Sequence, residues 1–176
     1  RWLGLDWDEG PDIGGPHAPY VQSQRRELYA AATRRLIEAD AAYECDCSPE
    51  RLTMLREQRK AQGLPPGYDN RCRSRPSREL QASRERGVPV VVRLKVPERG
   101  EVSFEDTVRG RITFDSATIQ DFVIMKSDGL PTYHLAHVVD DHEMLITHVI
   151  RSEEWISTAP LHVLIHGALG YGLPVY

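Results

Sequence analysis

The residues from Gly129 to Gly170 constrain the fold of this chain more than any other stretch. They open with a Gly-Leu-Pro turn, and Tyr133 and His137 follow at a spacing of four, which puts both on one face of a helix. The β-branched run at 146–150 predicts a buried strand, and the apolar pattern from Trp155 to about residue 169 predicts a helix after it. A strand, a polar turn and a helix in this order are typical of an open α/β sheet, where ligands bind at the carboxyl ends of strands.

Charged side chains stand at this predicted junction, namely Arg151, Glu153 and Glu154, directly followed by Trp155. A guanidinium can hold a carboxylate through two parallel hydrogen bonds and keeps its charge at any physiological pH. From the residues alone, Arg151 is either an anion-binding group or one half of a surface ion pair with Glu153 or Glu154. For the acidic pair Asp140 and Asp141, helix capping and structural hydrogen bonds are favoured over a metal site.

Composition limits the classes of protein to which the chain can belong. Hydrophobic residues make up 40% and charged residues 27%, as in ordinary globular proteins. The sequence has neither an apolar run of membrane-spanning length nor a signal-peptide pattern. Because the net charge is −4, a nucleic-acid partner would have to meet a local basic face rather than a generally basic protein.

All three cysteines fall in one segment, in the spacing C-x-C-x24-C formed by Cys45, Cys47 and Cys72. Two thiolates one residue apart and a third that returns to them form part of a tetrahedral zinc site, although the paired C-x-x-C knuckles of a strong zinc motif are missing. Two readings stay open: a structural zinc site, or three reduced cysteines without metal. A disulfide is the least favoured reading, because three cysteines give no expected pairing.

The rest of the chain reads as a mixed block of helices and strands. Helical spacing predicts a helix from Ser23 to about Ala39 whose arginines, at 25, 26, 34 and 35, lie on a solvated face. Further helices are predicted at 49–62 and 76–87, and strands at 88–96, 101–108, 109–114 and 120–126.

Three stretches together resemble one family. RWLGLDWDEGPDIGGPHAPYVQSQR at the start, SDGLPTYHLAHVVDDHEM and ITHVIRSEEWISTAP are similar to the catalytic domain of glutamyl-tRNA synthetase, a bacterial-type class I aminoacyl-tRNA synthetase. The resemblance implies an α/β fold in which residues 1–22 and 129–176 belong to a class I Rossmann-like (HUP-type) catalytic domain. Residues 23–128 would form an inserted α+β acceptor-binding domain, with a zinc-binding segment at 45–74.

The implied reaction is the activation of glutamate by ATP, with Mg²⁺, to glutamyl-adenylate and its transfer to the 3′ end of tRNA-Glu. By resemblance, Arg151 binds the α-carboxylate of glutamate and Tyr133 contacts the same substrate through its hydroxyl. Glu154 matches a residue that contacts ATP, and Trp155 lines the same pocket or is core. His137 stands where the family commonly has an asparagine that contacts the amino acid, so the substrate is expected to be held somewhat differently here.

The resemblance also extends to the metal and the RNA. The implied zinc ligands are Cys45, Cys47, Tyr68 and Cys72, while Ser74 occupies a position at which relatives use histidine. The acceptor end of the tRNA would run past the arginines of the inserted domain, at Arg71, Arg73, Arg75, Arg93 and Arg109. The expected parent is a monomeric cytoplasmic enzyme without a membrane segment.

Relatives carry a HIGH-type motif before this region and a KMSKS-type motif after it, and neither occurs in the 176 residues. The chain is therefore expected to be an internal part of a longer enzyme and inactive alone. Two alternatives remain open: a paralogue that attaches glutamate to the queuosine of tRNA-Asp, and a non-catalytic module that binds the acceptor end of tRNA.

Overall fold

The structure is a computed structural model that describes residues 2–176. Its five helices are α1 (Arg26–Glu38), α2 (Pro49–Ala61), α3 (Ser77–Glu85), α4 (Tyr133–Glu143) and α5 (Ala159–Leu169). Its five strands are β1 (Ala42–Cys45), β2 (Val91–Leu94), β3 (Glu101–Asp106), β4 (Gly110–Asp115) and β5 (Val123–Met125). Short 3-10 turns cover Gln22–Gln24, Ser116–Thr118 and Glu153–Thr158.

The strands form two antiparallel sheets. One sheet has the order β1-β2-β5, with Ala42 opposite Leu94 and Cys45 opposite Val91. The other is the hairpin of β3 and β4. The Asp106 carboxylate closes its turn by accepting hydrogen bonds from the backbone N–H groups of Val108 and Arg109. The hairpin packs against α5 and the last residue, Tyr176.

The three-stranded sheet separates two groups of buried side chains, because successive residues of a strand point to opposite faces. One face carries Ala42, Val92 and Leu94, which join the main core beneath the helices. That core also contains these residues of α1, α4, α5 and β5: Tyr29, Ala32, Leu36, Ile124, Met125, Leu135, Ala136, Val138, Val139, Ile165 and Leu169. The opposite face carries Tyr43 and Cys45, which pack with Tyr68 and Cys72 in a second, smaller cluster.

A buried ion pair ties α1 to α4. Arg25 is 2% exposed, and its Nε lies 2.7 Å from Oδ1 of Asp140, to which the Tyr29 hydroxyl also donates at 2.9 Å. The prediction that Arg25 lies on a solvated helix face was therefore wrong, since its guanidinium faces the acid of a neighbouring helix. The structural role predicted for Asp140 is confirmed, although capping is not, because Asp140 lies inside α4.

The helices at 23–39, 49–62 and 76–87 are confirmed with ends shifted by up to three residues. The strand predicted at 109–114 is found one residue later, and the other three predicted strands are confirmed in shortened form. Three predictions need correction. Strand β1 was not predicted. The helix predicted from Trp155 begins only at Ala159, because residues 153–158 form a 3-10 turn before α5, and residues 146–150 do not form the predicted strand. There, one parallel bridge joins His148 to Val175. A strand needs a partner backbone along its length, and Val175 with its neighbours supplies only that one pairing.

The main core crosses the domain boundary expected at residue 128, because α1 and the sheet share buried contacts with α4 and α5. The boundaries themselves stay predictions. Within residues 2–176, no helix is long and apolar enough to cross a membrane.

Candidate functional site

Helix α4 presents two side chains from its first turns on one face. The rings of Tyr133 and His137 lie 5.6 Å apart and nearly parallel, at 21°. The predicted common helical face is therefore confirmed. Tyr133 is 46% exposed, whereas His137 is largely buried beneath it, so the pair leads from the surface into the space between α4 and α5.

Arg151 reaches this pair from the loop before the 3-10 turn. Its Nη1 donates to the Tyr133 hydroxyl at 3.1 Å, and its Nη2 lies 3.1 Å from Nε2 of His137 and 3.2 Å from Nδ1 of His162. The structure thus brings together the three residues that the sequence assigned to glutamate. The alternative of an ion pair with Glu153 or Glu154 was wrong, because Glu153 pairs with Arg109 at 2.8 Å and no ion pair of residues 2–176 includes Arg151.

This arrangement leaves the guanidinium with free donors and without a direct carboxylate partner among residues 2–176, although its charge acts on the nearby carboxyl of Asp141. Arginine carries five N–H donors, and Tyr133, His137 and His162 occupy three of them. Both hydrogens of Nη2 are engaged, so a carboxylate that takes Nη1 and Nη2 together must displace one imidazole.

Three further histidines, which form no recognised sequence motif, lie near this site: His162 contacts Arg151, His134 contacts His162, and His166 lies one turn further along α5. His134 lies on α4, and His162 and His166 lie on α5, with the rings of His137 and His162 only 4.5 Å apart. The spacing of three between His134 and His137, and of four between His162 and His166, was the available signal. Sequence alone could not show that the two helices turn these faces towards each other.

The histidines in this cluster are neutral at neutral pH. Burial, followed by the charge of Arg151, lowers the pKa of His137 to about 4. Burial and then the neighbouring His137 and Arg151 lower the pKa of His162 to about 2. Asp141 shows the opposite shift, since burial raises the pKa of its carboxyl to about 6. Its Oδ2 lies 3.2 Å from His137 Nε2 without a hydrogen bond to it.

Trp155 and Glu154, predicted to face ATP, lie on the 3-10 turn after Arg151. The Trp155 ring is 5.4 Å from that of Tyr133 and is 39% exposed. With Arg151 and Tyr176 it lines a small pocket beside the arginine. Trp155 therefore belongs to the rim of this site rather than to the main core, whereas the role predicted for Glu154, which is exposed, stays a prediction.

The cysteines converge on the far face of the three-stranded sheet. The sulfurs of Cys45, Cys47 and Cys72 lie within 4.8 Å of one another, with Cys47 and Cys72 at 3.6 Å. The Tyr68 hydroxyl completes the group, at 3.3 Å from Cys45 and 3.4 Å from Cys47. Around a tetrahedral zinc ion, two sulfurs lie about 3.8 Å apart and a sulfur and an oxygen about 3.5 Å apart. The Cys47–Cys72 distance and the two distances from Tyr68 match those edges.

Arginines surround the thiols. Arg51 Nη1 lies 3.5 Å from the Cys47 sulfur, and the guanidinium of Arg93 stacks 3.9 Å above the Tyr68 ring. The thiols also interact with each other: a hydrogen bond from Cys72 lowers the pKa of Cys45, and the same contact raises that of Cys72. The cluster therefore favours anionic sulfur at Cys45.

The five arginines predicted to contact tRNA differ in their surroundings. Arg71 is exposed, and Arg109 is partly exposed beside Glu153. Arg73 donates to Asp121 at 2.8 Å and to the carbonyl of Val96, Arg93 is buried, and Arg75 pairs with Asp46 and Glu79. Arg73, Arg75 and Arg93 therefore have internal structural contacts, and an RNA contact stays a prediction for all five.

The comparison with known families decides where the chain belongs. The sequence model of the family described as "tRNA synthetases class I (E and Q), catalytic domain" matches residues 1–176. This chain belongs to that family. Among its relatives, a glutamate–tRNA ligase of Dehalococcoides mccartyi (strain 195) is 52% identical over 176 residues, and one of Fusobacterium nucleatum is 50% identical over the same length.

Solved structures of synthetases share the fold. The glutamate–tRNA synthetase of Elizabethkingia anophelis superimposes with a TM-score of 0.91 at 40% identity. A glutamate tRNA ligase of Elizabethkingia meningosepticum, solved in complex with its amino acid, gives 0.92 at 40% identity. Each covers 99% of this chain. The predicted class I α/β catalytic fold is thereby confirmed, while the separate inserted domain stays a prediction.

The chain spans about a third of the length of these synthetases, 34% and 35% of the two ligases and 37% and 36% of the two structures.

Proposed function

We propose that this chain forms the amino-acid-binding part of a glutamate–tRNA ligase. One observation carries the proposal: Arg151 is oriented by Tyr133 and two imidazoles, yet no acid of residues 2–176 pairs with it. A partly buried guanidinium that neutral groups hold in place is suited to binding a substrate carboxylate. Family membership and relatives called glutamate–tRNA ligases support glutamate as that substrate.

In the proposed reaction, the α-carboxylate of glutamate attacks the α-phosphorus of ATP, which gives glutamyl-adenylate and pyrophosphate. The terminal ribose hydroxyl of tRNA-Glu then takes the acyl group and releases AMP. The acyl transfer needs no side-chain nucleophile, so the tasks of the protein are positioning and charge stabilisation. Arg151 and Tyr133 orient the amino acid, and Trp155 and Glu154 line the way towards ATP and its Mg²⁺.

His137 is the contact that the substrate displaces in this proposal. A bidentate carboxylate needs one Nη2 hydrogen of Arg151, and His137 has an alternative partner, since Asp141 Oδ2 lies 3.2 Å from its Nε2. By changing tautomer, His137 donates to Asp141 and leaves Arg151 to the substrate. This places His137 beside the carboxylate, where the family commonly has asparagine.

We also propose a structural zinc ion held by Cys45, Cys47, Cys72 and the hydroxyl of Tyr68. When bound, zinc would cross-link the end of β1 to the segment around Arg71, Arg73 and Arg75. The family role further implies tRNA contacts at the exposed Arg71, and a cytoplasmic, monomeric enzyme.

The test uses a full-length enzyme that carries these 176 residues. Glutamate-dependent exchange between ATP and pyrophosphate should occur, and tRNA-Glu should be charged. Arg151→Ala should raise the glutamate KM about 100-fold, because removing one partner of a charged bidentate contact costs about 2–3 kcal/mol. Arg34→Ala, which removes an exposed arginine of α1, is the matched control and should change neither value.

Other outcomes would overturn the proposal. Transfer of glutamate to tRNA-Asp would identify the queuosine-modifying paralogue, and tRNA binding without exchange would identify a non-catalytic module. The relatives favour neither alternative. An Arg151→Ala enzyme with an unchanged glutamate KM would refute the assigned site even if the enzyme charges tRNA-Glu.

A further inference from the structure

His162 takes no part in the proposed substrate contacts, yet it is the centre of the histidine cluster. It lies within α5 and is 0% exposed. Both of its ring nitrogens have partners: Nδ1 lies 3.2 Å from Arg151 Nη2, and Nε2 lies 3.1 Å from His134 Nδ1. A fully buried imidazole with two such contacts is held in a single orientation.

The donor inventory fixes where the protons lie. Arginine can only donate, so Nδ1 of His162 accepts from Arg151. The ring proton of His162 is therefore on Nε2 and is donated to Nδ1 of His134, whose own proton is then on Nε2. The three side chains form one directed chain of hydrogen bonds from Arg151 to His162 to His134. Protonation of His162 would direct an N–H group at the guanidinium, so the chain exists only with neutral rings.

The choice of acceptor matters for the charge of Arg151. A carboxylate at this place would orient the guanidinium equally well, but it would also neutralise the charge that a substrate carboxylate needs. A neutral imidazole orients without neutralising. The ion pairs of residues 2–176 leave Arg151 out, as expected if its orientation comes from neutral acceptors alone.

We propose that His162 is a positioning residue for Arg151: its neutral Nδ1 fixes the guanidinium for the substrate carboxylate while leaving the positive charge intact, and His134 fixes the tautomer. The proposal rests on the proposed function in that Arg151 is taken to bind a carboxylate. It assigns different tasks to the two imidazoles, since His137 yields its contact to the substrate and His162 keeps its own.

Two near-isosteric variants in the full-length enzyme test this role. His162→Asn retains an amide oxygen near the position of Nδ1, whereas His162→Gln places its amide near Nε2. The Gln variant should raise the glutamate KM about tenfold, the effect of losing a hydrogen bond to a charged group, with kcat and the ATP KM within about twofold. The Asn variant should have a glutamate KM within about threefold of that of the unsubstituted enzyme.

Equal effects of the two variants, or a fall in kcat alone with an unchanged glutamate KM, would overturn the proposal. Ring-nitrogen NMR of the labelled 176-residue chain adds a readout that needs no activity. His162 should be neutral with its proton on Nε2 at pH 6–7, and the proton on Nδ1, or a cationic ring, would contradict the assignment. If Arg151→Ala leaves the glutamate KM unchanged while the NMR result holds, the proposed substrate site fails and the hydrogen-bond chain stands.

Discussion

Two polar clusters lie on either side of the three-stranded sheet and differ in electrical character. Helices α4 and α5, which pack on one face, enclose neutral imidazoles around a single permanent cation, Arg151. On the other face, three thiols and Tyr68 lie among the guanidiniums of Arg51 and Arg93. The histidine cluster holds a guanidinium that pairs with no carboxylate of residues 2–176, whereas the cysteine cluster gathers thiols, of which Cys45 has a lowered pKa.

The difference indicates which ligand each cluster can take. Neutral imidazoles orient Arg151 without pairing its charge, which suits the carboxylate proposed to bind there. The three sulfurs lie within 4.8 Å of one another, an arrangement that suits the metal ion proposed to bind there. Under the proposals above, the two sides of the sheet thus take opposite ligands, a substrate carboxylate beside Arg151 and a metal ion among the thiols.

The largest expected effect is on the metal content and stability of the cysteine cluster, and its absence would remove the contrast between the two clusters. The purified chain should contain about one zinc per molecule, and Cys72→Ser should lose it together with stability on the order of 5 kcal/mol, since the binding energy of a structural zinc is folding energy. Metal analysis and thermal unfolding measure the two effects. Ser74→Ala, at the exposed neighbour, should keep both; a metal-free chain with normal stability would remove the distinction between the clusters.

The second prediction extends the comparison to a guanidinium that, unlike that of Arg151, is paired with a carboxylate. Arg73 pairs with Asp121, which is 1% exposed and also accepts from Tyr43 and from the backbone of Val96. Arg73→Ala should cost about 3 kcal/mol, because it leaves a buried carboxylate without its cation.

The matched control for this pair is Arg71→Ala, which removes an exposed arginine two residues away. It should change the free energy of unfolding by less than about 0.5 kcal/mol. Urea unfolding of both variants measures the difference. Equal costs would mean that the Asp121 carboxylate does not depend on Arg73.

The smallest expected effect is a pH dependence on the histidine side. The pKa values of His137 and His162 are about 4 and about 2 in the folded chain, below the unfolded value of about 6.5. The unfolded chain therefore takes up protons first as the pH falls below 6.5, and stability decreases. Each histidine should contribute a loss of about 2 kcal/mol by pH 5.

Asp141 opposes this loss. Its folded pKa of about 6 lies above its unfolded value, so its contribution to stability rises as the pH falls through 6 and offsets about 1.4 kcal/mol by pH 5. His162→Asn should flatten the stability profile between about pH 7.5 and pH 5 by about 2 kcal/mol, whereas His148→Asn, at an exposed position, should leave it unchanged. Calorimetric unfolding across this range measures it, and parallel profiles for both variants would contradict neutral buried histidines.

Much of this organisation was predictable from local sequence. The helical spacing of Tyr133 and His137 and the approach of Arg151 followed from pattern and resemblance. The predicted strand at 146–150 failed because β-branched residues specify a strand only where a partner backbone lies alongside, and here one bridge to Val175 forms. Arg25 was assigned to solvent because periodicity reports a helix face and not what packs against it.

The sequence by itself determined the family, the α/β class, most helices and part of each cluster, because these depend on local spacing and on distinctive words. The part of the clusters found in this way is Tyr133, His137 and Arg151 on one side and the three cysteines with Tyr68 on the other. Only the tertiary structure decided that α5 brings His162 to Arg151, that the sheet separates the two clusters, and that Arg73 and Arg93 make internal contacts. Those facts depend on which faces meet across long sequence separations. The packing of these faces determines the charge state and the partners of a side chain, because burial and neighbouring charges are properties of the folded chain.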